Sequence, residues 1–582
     1  MSYTKPIINA HAHIFKSEDT PSYLAKKIIV WPFYLIFNIH RIVGAYKKYL
    51  KRQDKKYTHR YKNKAWEKYV NGNYPINRFL RRVLLFFVNI IFFFYAIYVL
   101  LPYLSFWPFN DVLKNFYDKS DPIIKQLLFL DNRFSYLGIL FVLFLLFRDV
   151  RNKTLKFIWK QIEKRLGKEM IALKLRYVNI VEYAKYKRMS DVYGRLRSQY
   201  PPESKFIVLP MDMEYMDAGK TKRPYPEQMT ELLKIKSNHK DTMYPFLFAH
   251  PMRMNELTDV TINNTTTKLP YFKGGLDDSG NFVLEDCAVK TYLENGCAGI
   301  KIYPAMGYYV FAKELLPLWL YCAQNGIPVL THCAVGPIFY RGDLRKLDPQ
   351  IDEHPVYMQN IGSGETRLRL KLYKNSLFQK NFTHPLNYCC LLEEDLLKRV
   401  LDYHNDTELN TLFGYDAEHK DQPLERNLSK LKINLAHYGG AEHWDQFLEQ
   451  DRYSRANSII NNPSLGLPIR EGLKNINVVE DYWHEVDWFT LISSMIINYD
   501  NVYADVSYTS HDLKYLNLLS EILDNSSIKD RVLFGTDFYV VSNHKSEKQY
   551  WIDMEGSLSA NKWDMLSDKN PKRYLNSTYT SI

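Results

Sequence analysis

The stretch PIINAHAH, residues Pro6–His13, shows the pattern from which the fold of this chain can be predicted. It is a short apolar run that ends in polar side chains, as expected of a buried parallel strand whose carboxyl end opens on a site. Seven later stretches share the pattern, and segments with helical character separate them. They are Lys205–Asp212, Tyr244–His250, Ala298–Tyr303, Pro328–His332, Lys432–His437, Asn501–Ser507 and Arg531–Asp537.

Eight strands that alternate with helices predict right-handed βαβ units and, together, a (β/α)8 TIM barrel of the α/β class. Functional side chains in such barrels lie at the carboxyl ends of the strands. In this sequence those ends carry His11, His13, Lys301, His332, His437 and Asp537.

His11 and His13 lie two residues apart on one predicted strand, so both side chains point to the same face. Two imidazoles on one face are a natural start for a divalent metal site. A His-x-His pair alone is a weak signal, since two polar residues can simply cap a strand. The metal interpretation gains strength because three further potential ligands end three other strands in consistent positions.

A large insert separates the first two strands. We assign residues 1–15 to barrel strand 1, residues 16–200 to a helical insert and residues 201–582 to the remainder of the barrel. Residues 83–109 contain no charged side chain and are long enough to cross the ~30 Å hydrocarbon core of a bilayer. Residues 127–147 form a weaker second run. Strands 1 and 2 close one barrel, so the number of crossings between them must be even, which favours a hairpin of two transmembrane or membrane-embedded segments.

Lys and Arg flank both runs, which predicts a membrane protein whose catalytic barrel lies on the cytoplasmic side. The net charge is +13, but the excess of basic residues is confined to the insert and the rest of the chain is acidic. The total charge is therefore no indication of nucleic-acid binding. Six Cys exclude a disulfide scaffold and indicate a reducing compartment. We expect a small-molecule substrate, membrane lipid at the insert and no nucleic acid, while the oligomeric state stays open.

Six motifs occur in order outside the insert, namely NAHAH at Asn9–His13, VLTHC at Val329–Cys333, NLAHYGGAEHW at Asn434–Trp444, VYADVS at Val502–Ser507, RVLFGTDF at Arg531–Phe538 and NPKRYL at Asn570–Leu575. Together they resemble the amidohydrolase superfamily, and specifically its amidohydrolase-2 (amidohydrolase-related) family. The resemblance covers residues 1–15 and about 200–580. The insert departs from the family pattern, as does Asn9, where many relatives carry Asp.

The resemblance implies a divalent metal, usually zinc. Asp537 would be a ligand and would accept the proton as metal-bound water attacks a carbonyl. His437 would orient the substrate, stabilise an oxyanion, act as a general acid/base or bind a second metal. The first ligand shell implied by the family pattern is His11, His13, His332 and Asp537.

Lys301 divides two interpretations of the site. In dihydroorotase-like relatives a carbamylated lysine at this position bridges two metals, and the residues present here suffice for that. In the amidohydrolase-2 family, where one metal is more common, such a lysine would bind an anionic group of the substrate. We favour one ion, and a lysine with a merely structural role is the third interpretation.

The resemblance implies a metal-dependent hydrolase that cleaves an amide, ester or lactone-like bond, and the apolar runs of the insert predict that it is anchored to a membrane. A metal-dependent, non-oxidative decarboxylase of the same family is the alternative, and a catalytically inactive membrane scaffold is the third interpretation. Asp505 is a further candidate that either orients a ligand histidine or is structural. Weaker candidates for the pocket are Asp212, Glu214, His250 and His384.

Overall fold

The barrel is seen in a computed structural model. The residues that it describes are 5–21, 188–361, 364–372, 374–449, 486–538, 540–541 and 544–581, with isolated positions at 83, 90, 115, 118, 119, 122, 186 and 483. The chain forms two compact units, one of Met1–His40 with Leu175–Ile582 and one of Arg41–Lys174. All elements described below belong to the first unit.

Eight parallel strands form one sheet in which each strand pairs with the next along the chain. This order confirms the predicted eight-stranded barrel. The strands are β1 (Ile8–His13), β2 (Lys205–Leu209), β3 (Met243–Phe248), β4 (Gly299–Ile302), β5 (Val329–His332), β6 (Ile433–Ala436), β7 (Val502–Asp505) and β8 (Val532–Leu533).

The first and last strands meet and nearly close the barrel. The backbone N–H of Ala10 donates to the carbonyl of Phe534 over 2.8 Å, and Ala12 forms a parallel bridge with Phe538. The segment after β8 therefore runs along β1, and the carboxyl ends of both strands lie side by side.

A buried apolar cluster holds the strands together. Every strand, or the residue just before it, contributes a side chain, and the C-terminal helix contributes two. Its members are Ile8, Ala10, Ile207, Leu209, Tyr244, Phe246, Ala298, Leu330, Ala436, Tyr503, Leu533, Tyr574 and Leu575. These residues form continuous apolar runs because both faces of a barrel strand are covered, by the interior and by the helices.

Helices follow the strands and pack around the sheet. Their bounds are Met189–Arg197, Tyr225–Asn238, Pro251–Met254, Ala288–Glu294, Leu316–Asn325, Leu344–Leu347, Asn375–Thr383, Leu386–Leu392, Glu394–His404, Thr407–Phe413, Ala441–Glu449, Trp488–Asn498, Leu516–Ile522, Glu547–Ser557, Ala560–Asp564 and Asn570–Leu575.

Capping residues set several of these helix bounds. Asp406 accepts hydrogen bonds from the backbone N–H groups of Glu408 and Leu409, so it caps the helix Thr407–Phe413 at its N-terminus. Gly414 ends the same helix with a φ of 64°, a left-handed conformation that glycine adopts without strain. The local sequence thus fixes both ends of this helix.

Among the described residues, three antiparallel hairpins lie outside the barrel sheet. The sequence analysis did not predict them. They pair Leu257–Ile262 with Thr265–Pro270, Gly274–Leu276 with Phe282–Leu284, and Glu353–Ile361 with Gly364–Arg369. The first hairpin turns through Asn263 and Asn264, whose φ values of 50° and 66° are those of a two-residue type I′ turn.

Within the part of the chain that the structure describes, every helix is too short or too polar to cross a bilayer. The two predicted membrane segments, residues 83–109 and 127–147, lie outside the described residues apart from isolated positions. The membrane hairpin and the cytoplasmic orientation of the barrel therefore stay predictions.

Candidate metal centre

Three predicted ligands meet where β1 ends beside the segment after β8. The Nε2 atoms of His11 and His13 lie 3.3 Å apart. An Asp537 carboxylate oxygen lies 3.8 Å from the first of these nitrogens and 3.6 Å from the second. All three side chains are buried and their ligand atoms face one another. This group of His11, His13 and Asp537 is called the triad below.

The hydrogen bonds of the two imidazoles fix where their protons lie. His13 Nδ1 is 3.0 Å from the carbonyl oxygen of Leu209, and His11 Nδ1 is 3.1 Å from a carboxylate oxygen of Asp505. Both partners are acceptors, so each neutral ring carries its proton on Nδ1. The two Nε2 lone pairs consequently face each other without a proton between them.

This arrangement fits a cation. Two nitrogens bound tetrahedrally to one zinc ion at about 2.0–2.1 Å lie about 3.3–3.4 Å from each other, which matches the Nε2 separation. Burial, with the neighbouring His11 second, lowers the pKa of His13 well below its usual value. A neutral His13 is the form that binds metals.

Asp537 reaches the triad through an unusual backbone conformation. Its φ is 55°, and its backbone N–H donates to the carbonyl oxygen of His11 over 2.9 Å. Burial raises the pKa of its carboxyl to about 6, although His11 and Lys301 oppose this shift. The carboxyl group therefore exchanges a proton close to neutral pH.

His437 and His332 form a second pair beside the triad. Nε2 of His437 lies 3.0 Å from Nδ1 of His332, and the His332 ring stacks on Tyr303 with 4.2 Å between centroids. Burial lowers the pKa of His437 to about 3 and the pKa of His332 well below its usual value. Both rings are thus neutral. The structure brings His437 within 4.9 Å of the His11 ring, whereas His332 is not a member of the triad.

Asp505 connects the two groups. In addition to His11, it accepts hydrogen bonds from Asn434 Nδ2 over 2.9 Å, from the backbone N–H of His437 over 3.2 Å, and from the backbone N–H and hydroxyl of Ser507. These donors hold the pKa of this buried carboxyl well below its usual value, against the opposing effect of burial. Asp505 is therefore an ionised carboxylate that orients a candidate ligand.

The backbone that carries His437 is strained. His437, Tyr438, Gly439 and Gly440 have φ values of 66°, 47°, 84° and 88°. A Cβ atom on Gly439 would lie 2.9 Å from the Cβ of Trp488, so this position needs glycine. Strained residues persist where the surroundings over-determine them, and they concentrate at functional sites. With Tyr508 and Asp537, four of the strained non-glycine residues lie at this one site.

Lys301 lies near the carboxyl end of β4, and its side chain is completely buried. Its Nζ atom has no hydrogen-bond partner among the residues that the structure describes. Burial lowers the pKa of Lys301 to about 7, while Asp505 and Asp537 raise it. An unsatisfied amine inside a barrel destabilises the fold, so a functional role accounts for it better than a structural one.

We expect the Lys301→Met substitution to raise the free energy of unfolding at pH 8 by about 1–3 kcal/mol, because it removes a buried amine that lacks a partner. Chemical denaturation measures this change. Lys432→Met is the matched control, since the Nζ of Lys432 donates to the carbonyl of Asn576 over 2.7 Å and its loss destabilises the protein. A similar loss of stability in both variants would contradict the functional reading of Lys301.

A buried hydrogen-bond network leads from the backbone of His11 to Glu547. Asn9 accepts from the backbone N–H of His11 over 3.0 Å and donates to Tyr200 and Thr536. The hydroxyl of Tyr200 donates in turn to Glu547 over 2.7 Å. Both the amide oxygen and the amide nitrogen of Asn9 are thus hydrogen-bonded. Burial raises the pKa of the Glu547 carboxyl to about 7, against the hydrogen bonds from Tyr200 and Thr536.

Glu547 makes the fold less stable as the pH rises. The carboxyl ionises near pH 4.5 in the unfolded chain but near pH 7 in the fold, so the native state holds the extra proton between these values. The stability that this group contributes is full below pH 4.5 and is lost as the pH rises through 7. We expect Glu547→Gln to reduce the loss between pH 5 and 8 by on the order of 1–3 kcal/mol. Denaturation curves at both pH values test this, and an unchanged difference would contradict it.

A cavity of about 440 Å³ opens onto these groups. Its lining includes His13, His332, His437 and Asp537 of the site, together with Phe15 and several aliphatic side chains. No Lys or Arg occurs among the described residues that line it. The volume suits a small molecule. Polar side chains meet it at the triad and also at Glu442, His443, Tyr508, His511 and His544.

The weaker candidates have other partners. Asp212 and Glu214 both bind the guanidinium of Arg253. His250 caps the short helix Pro251–Met254, accepting from the backbone N–H of Met252 over 3.2 Å. His384 stacks on the indole of Trp483 with 3.9 Å between centroids. None of these four lines the cavity described above.

The sequence analysis gave no role to Ser507 or Tyr303. Ser507 bonds to both His11 and His437, and Tyr303 stacks on His332. A signal for Ser507 was present, because it lies two residues after Asp505, the spacing that places two side chains on one face of an extended segment.

No family model matches the chain, and no curated protein matches it. Solved structures do match. 5-Carboxyvanillate decarboxylase from Novosphingobium aromaticivorans DSM 12444, complexed with manganese, is 11% identical over 73% of this chain and 92% of its own, with a TM-score of 0.33. 2,6-Dihydroxybenzoate decarboxylase from Rhizobium is 14% identical over 70% and 92%, with a TM-score of 0.31.

A putative amidohydrolase from Staphylococcus aureus is 9% identical over 66% of this chain and 91% of its own, with a TM-score of 0.31. Identities and TM-scores this low say nothing about the reaction or the substrate. Both have to be inferred from the triad, the imidazole pair and the cavity of this chain.

Proposed function

We propose that this chain is a divalent-metal-dependent enzyme of the amidohydrolase type, which hydrolyses an amide, ester or lactone-like bond in a small molecule. The observation that carries the proposal is the triad, in which two Nε2 lone pairs lie 3.3 Å apart beside a buried carboxylate. Like dipoles held this close repel each other, and a cation relieves the repulsion.

The residues present favour one ion. A second group of possible ligands, His11, His437 and Asp505, shares His11 with the triad. Asp505 already accepts five hydrogen bonds, and His11 has a single free lone pair, which the triad uses. Zinc is the proposed ion because histidine nitrogens and a carboxylate oxygen are its usual ligands and leave a position for water.

The bound cation would supply a low-pKa water and polarise a carbonyl group. The protein's own groups do the rest. Asp537 accepts a proton from the attacking water at a carboxylate oxygen and returns it to the leaving group. Neutral His437 and His332 meet the cavity as a hydrogen-bonded pair, and Nε2 of His332, which has no partner among the described residues, is the nitrogen of this pair that can hydrogen-bond to a substrate.

Metal analysis tests the proposal first. The full-length protein, purified without chelator, is expected to hold close to one equivalent of zinc, manganese or iron, and to lose activity after chelation. Restoration of activity by one added equivalent supports the one-ion site. A protein that takes up no divalent cation in titration would refute the proposal and favour a catalytically inactive scaffold.

Non-oxidative decarboxylation is the second candidate, and the cavity wall favours it. Loss of CO₂ from a carboxylate is promoted where water is excluded, because the charge disperses as the bond breaks. The cavity lining includes the apolar residues Phe15, Val335, Pro337, Ile338 and Val540, beside the polar residues Glu442, His511 and His544. Assays of CO₂ release and of newly formed carboxylate product on a panel of aromatic acids and cyclic amides separate the two reactions. A new carboxylate product without CO₂ identifies a hydrolase, and CO₂ without such a product identifies a decarboxylase.

A further inference from the structure

Ser507 lies at the junction between the triad and the imidazole pair. Its side chain is fully buried just after β7. The hydroxyl oxygen is 3.1 Å from Nδ1 of His11 and 3.0 Å from Nδ1 of His437, and it is also hydrogen-bonded to Asp505. A single oxygen atom therefore contacts the ring of a candidate metal ligand and the ring of the candidate acid/base.

The number of protons determines the direction of each bond. A serine hydroxyl has one proton to donate and two lone pairs that accept. Asp505 is ionised and can only accept, so the Ser507 proton points to Asp505. Both lone pairs of Ser507 are then available to the two imidazoles, which each donate from Nδ1–H. The Nδ1–H of His11 is shared between Ser507 and Asp505.

The position of the His437 proton also determines the position of the proton on a third ring, that of His332. With its proton on Nδ1, His437 presents a lone pair at Nε2, which accepts from Nδ1–H of His332 over 3.0 Å. His332 is thereby left with a lone pair on Nε2, an atom that is buried and has no hydrogen-bond partner among the described residues. Because the proton of His11 lies on Nδ1, the Nε2 lone pair of His11 faces Nε2 of His13.

We propose that Ser507 is a positioning residue that couples the metal-binding group to the acid/base group. Hydrogen bonds that share an atom polarise one another. A cation at Nε2 of His11 makes the Nδ1–H of that ring a stronger donor to Ser507, and the bond from His437 to the same oxygen responds. The inference rests on the proposed function, because it requires a cation at the triad.

The test is a double-mutant cycle on zinc affinity in the full-length, metal-free protein, with a chromophoric chelator as competitor. Ser507→Ala is expected to weaken zinc binding about 10- to 100-fold, the usual effect of removing a group that orients a metal ligand. In a protein that already carries His437→Ala, the same substitution is expected to weaken binding at least about threefold less. If Ser507→Ala fails to fold, Ser507→Cys replaces it in the cycle.

Ser567→Ala is the matched control, because the Ser567 hydroxyl is equally buried but donates to the carbonyl of Trp563. It is expected to leave zinc affinity unchanged within about twofold. Equal effects of Ser507→Ala with and without His437 would show a purely structural role and overturn the inference. A wild-type protein without zinc affinity would overturn the proposed function instead, so the two failures are distinguishable.

Discussion

The His11→Ala substitution is expected to abolish stoichiometric metal binding and to lower activity by at least about 1,000-fold. His11 belongs to the triad and also donates to Asp505, so its loss removes one of two imidazole ligands and leaves a buried carboxylate with one donor fewer. A ligand that binds only the native state raises the melting temperature. The wild type is expected to melt at a higher temperature when zinc is added, and the variant is not.

His354→Ala provides the control for this experiment. His354 is also buried, and burial lowers its pKa to about 4, but its Nε2 lies 3.0 Å from the amide oxygen of Asn387 rather than in the triad. It is expected to reduce stability without changing the metal content. One equivalent of zinc retained by the His11→Ala protein after dialysis would contradict the assignment of the triad.

The Asp505→Asn substitution is expected to have the second largest effect, with at least a 100-fold loss of metal affinity and a loss of about 3–5 kcal/mol of stability. All the hydrogen bonds to Asp505 come from donors. An asparagine presents an NH₂ group to one set of these donors, so either His437 or His11 loses its acceptor. If His11 then moves its proton to Nε2, that nitrogen can no longer bind a metal.

Zinc titration and chemical denaturation of the Asp505→Asn protein measure both effects. Asp487→Asn is the matched control, since Asp487 is a buried carboxylate that caps a helix by accepting from Thr490, and asparagine caps a helix equally well. Wild-type affinity in the Asp505→Asn protein would show that Asp505 does not orient His11.

The barrel could be predicted from the sequence because each strand is a continuous apolar run. The predicted strand Pro328–His332 corresponds to β5 at Val329–His332, and Lys432–His437 corresponds to β6 at Ile433–Ala436. The predicted runs extend past the strands where polar residues follow them. Two of those extra residues, His437 and Asp537, belong to the site.

The arrangement of the site could not be predicted in the same way. His332 was placed by family resemblance among the ligands of the triad, whereas the structure pairs it with His437. The relative position of two strand ends depends on the backbone after each strand. Here His437 and Asp537 both take left-handed conformations, which histidine and aspartate adopt more readily than most residues but still only occasionally, so the sequence does not indicate where they occur. Whether His332 binds the metal stays a prediction.

The first hairpin does carry a local sequence signal. Asn263-Asn264 between two polar, β-branched stretches is a type I′ turn signal, and it does form a hairpin. The hydrogen bonds of Asp505 and Ser507 carry no comparable signal, because they join residues from strands that are distant along the chain. Such contacts exist only after the barrel has formed.

The triad lies where β1 meets the segment after β8, so its ligands come from opposite ends of the barrel sequence. Bringing the first and last strands of a long chain together is opposed by loop-closure entropy. A cation bound by residues from both ends would hold the first and last strands together at this seam. Its binding free energy would be added to the stability of the closed barrel. A chelator would then threaten the architecture of the protein as well as its chemistry, with the seam the first place to open.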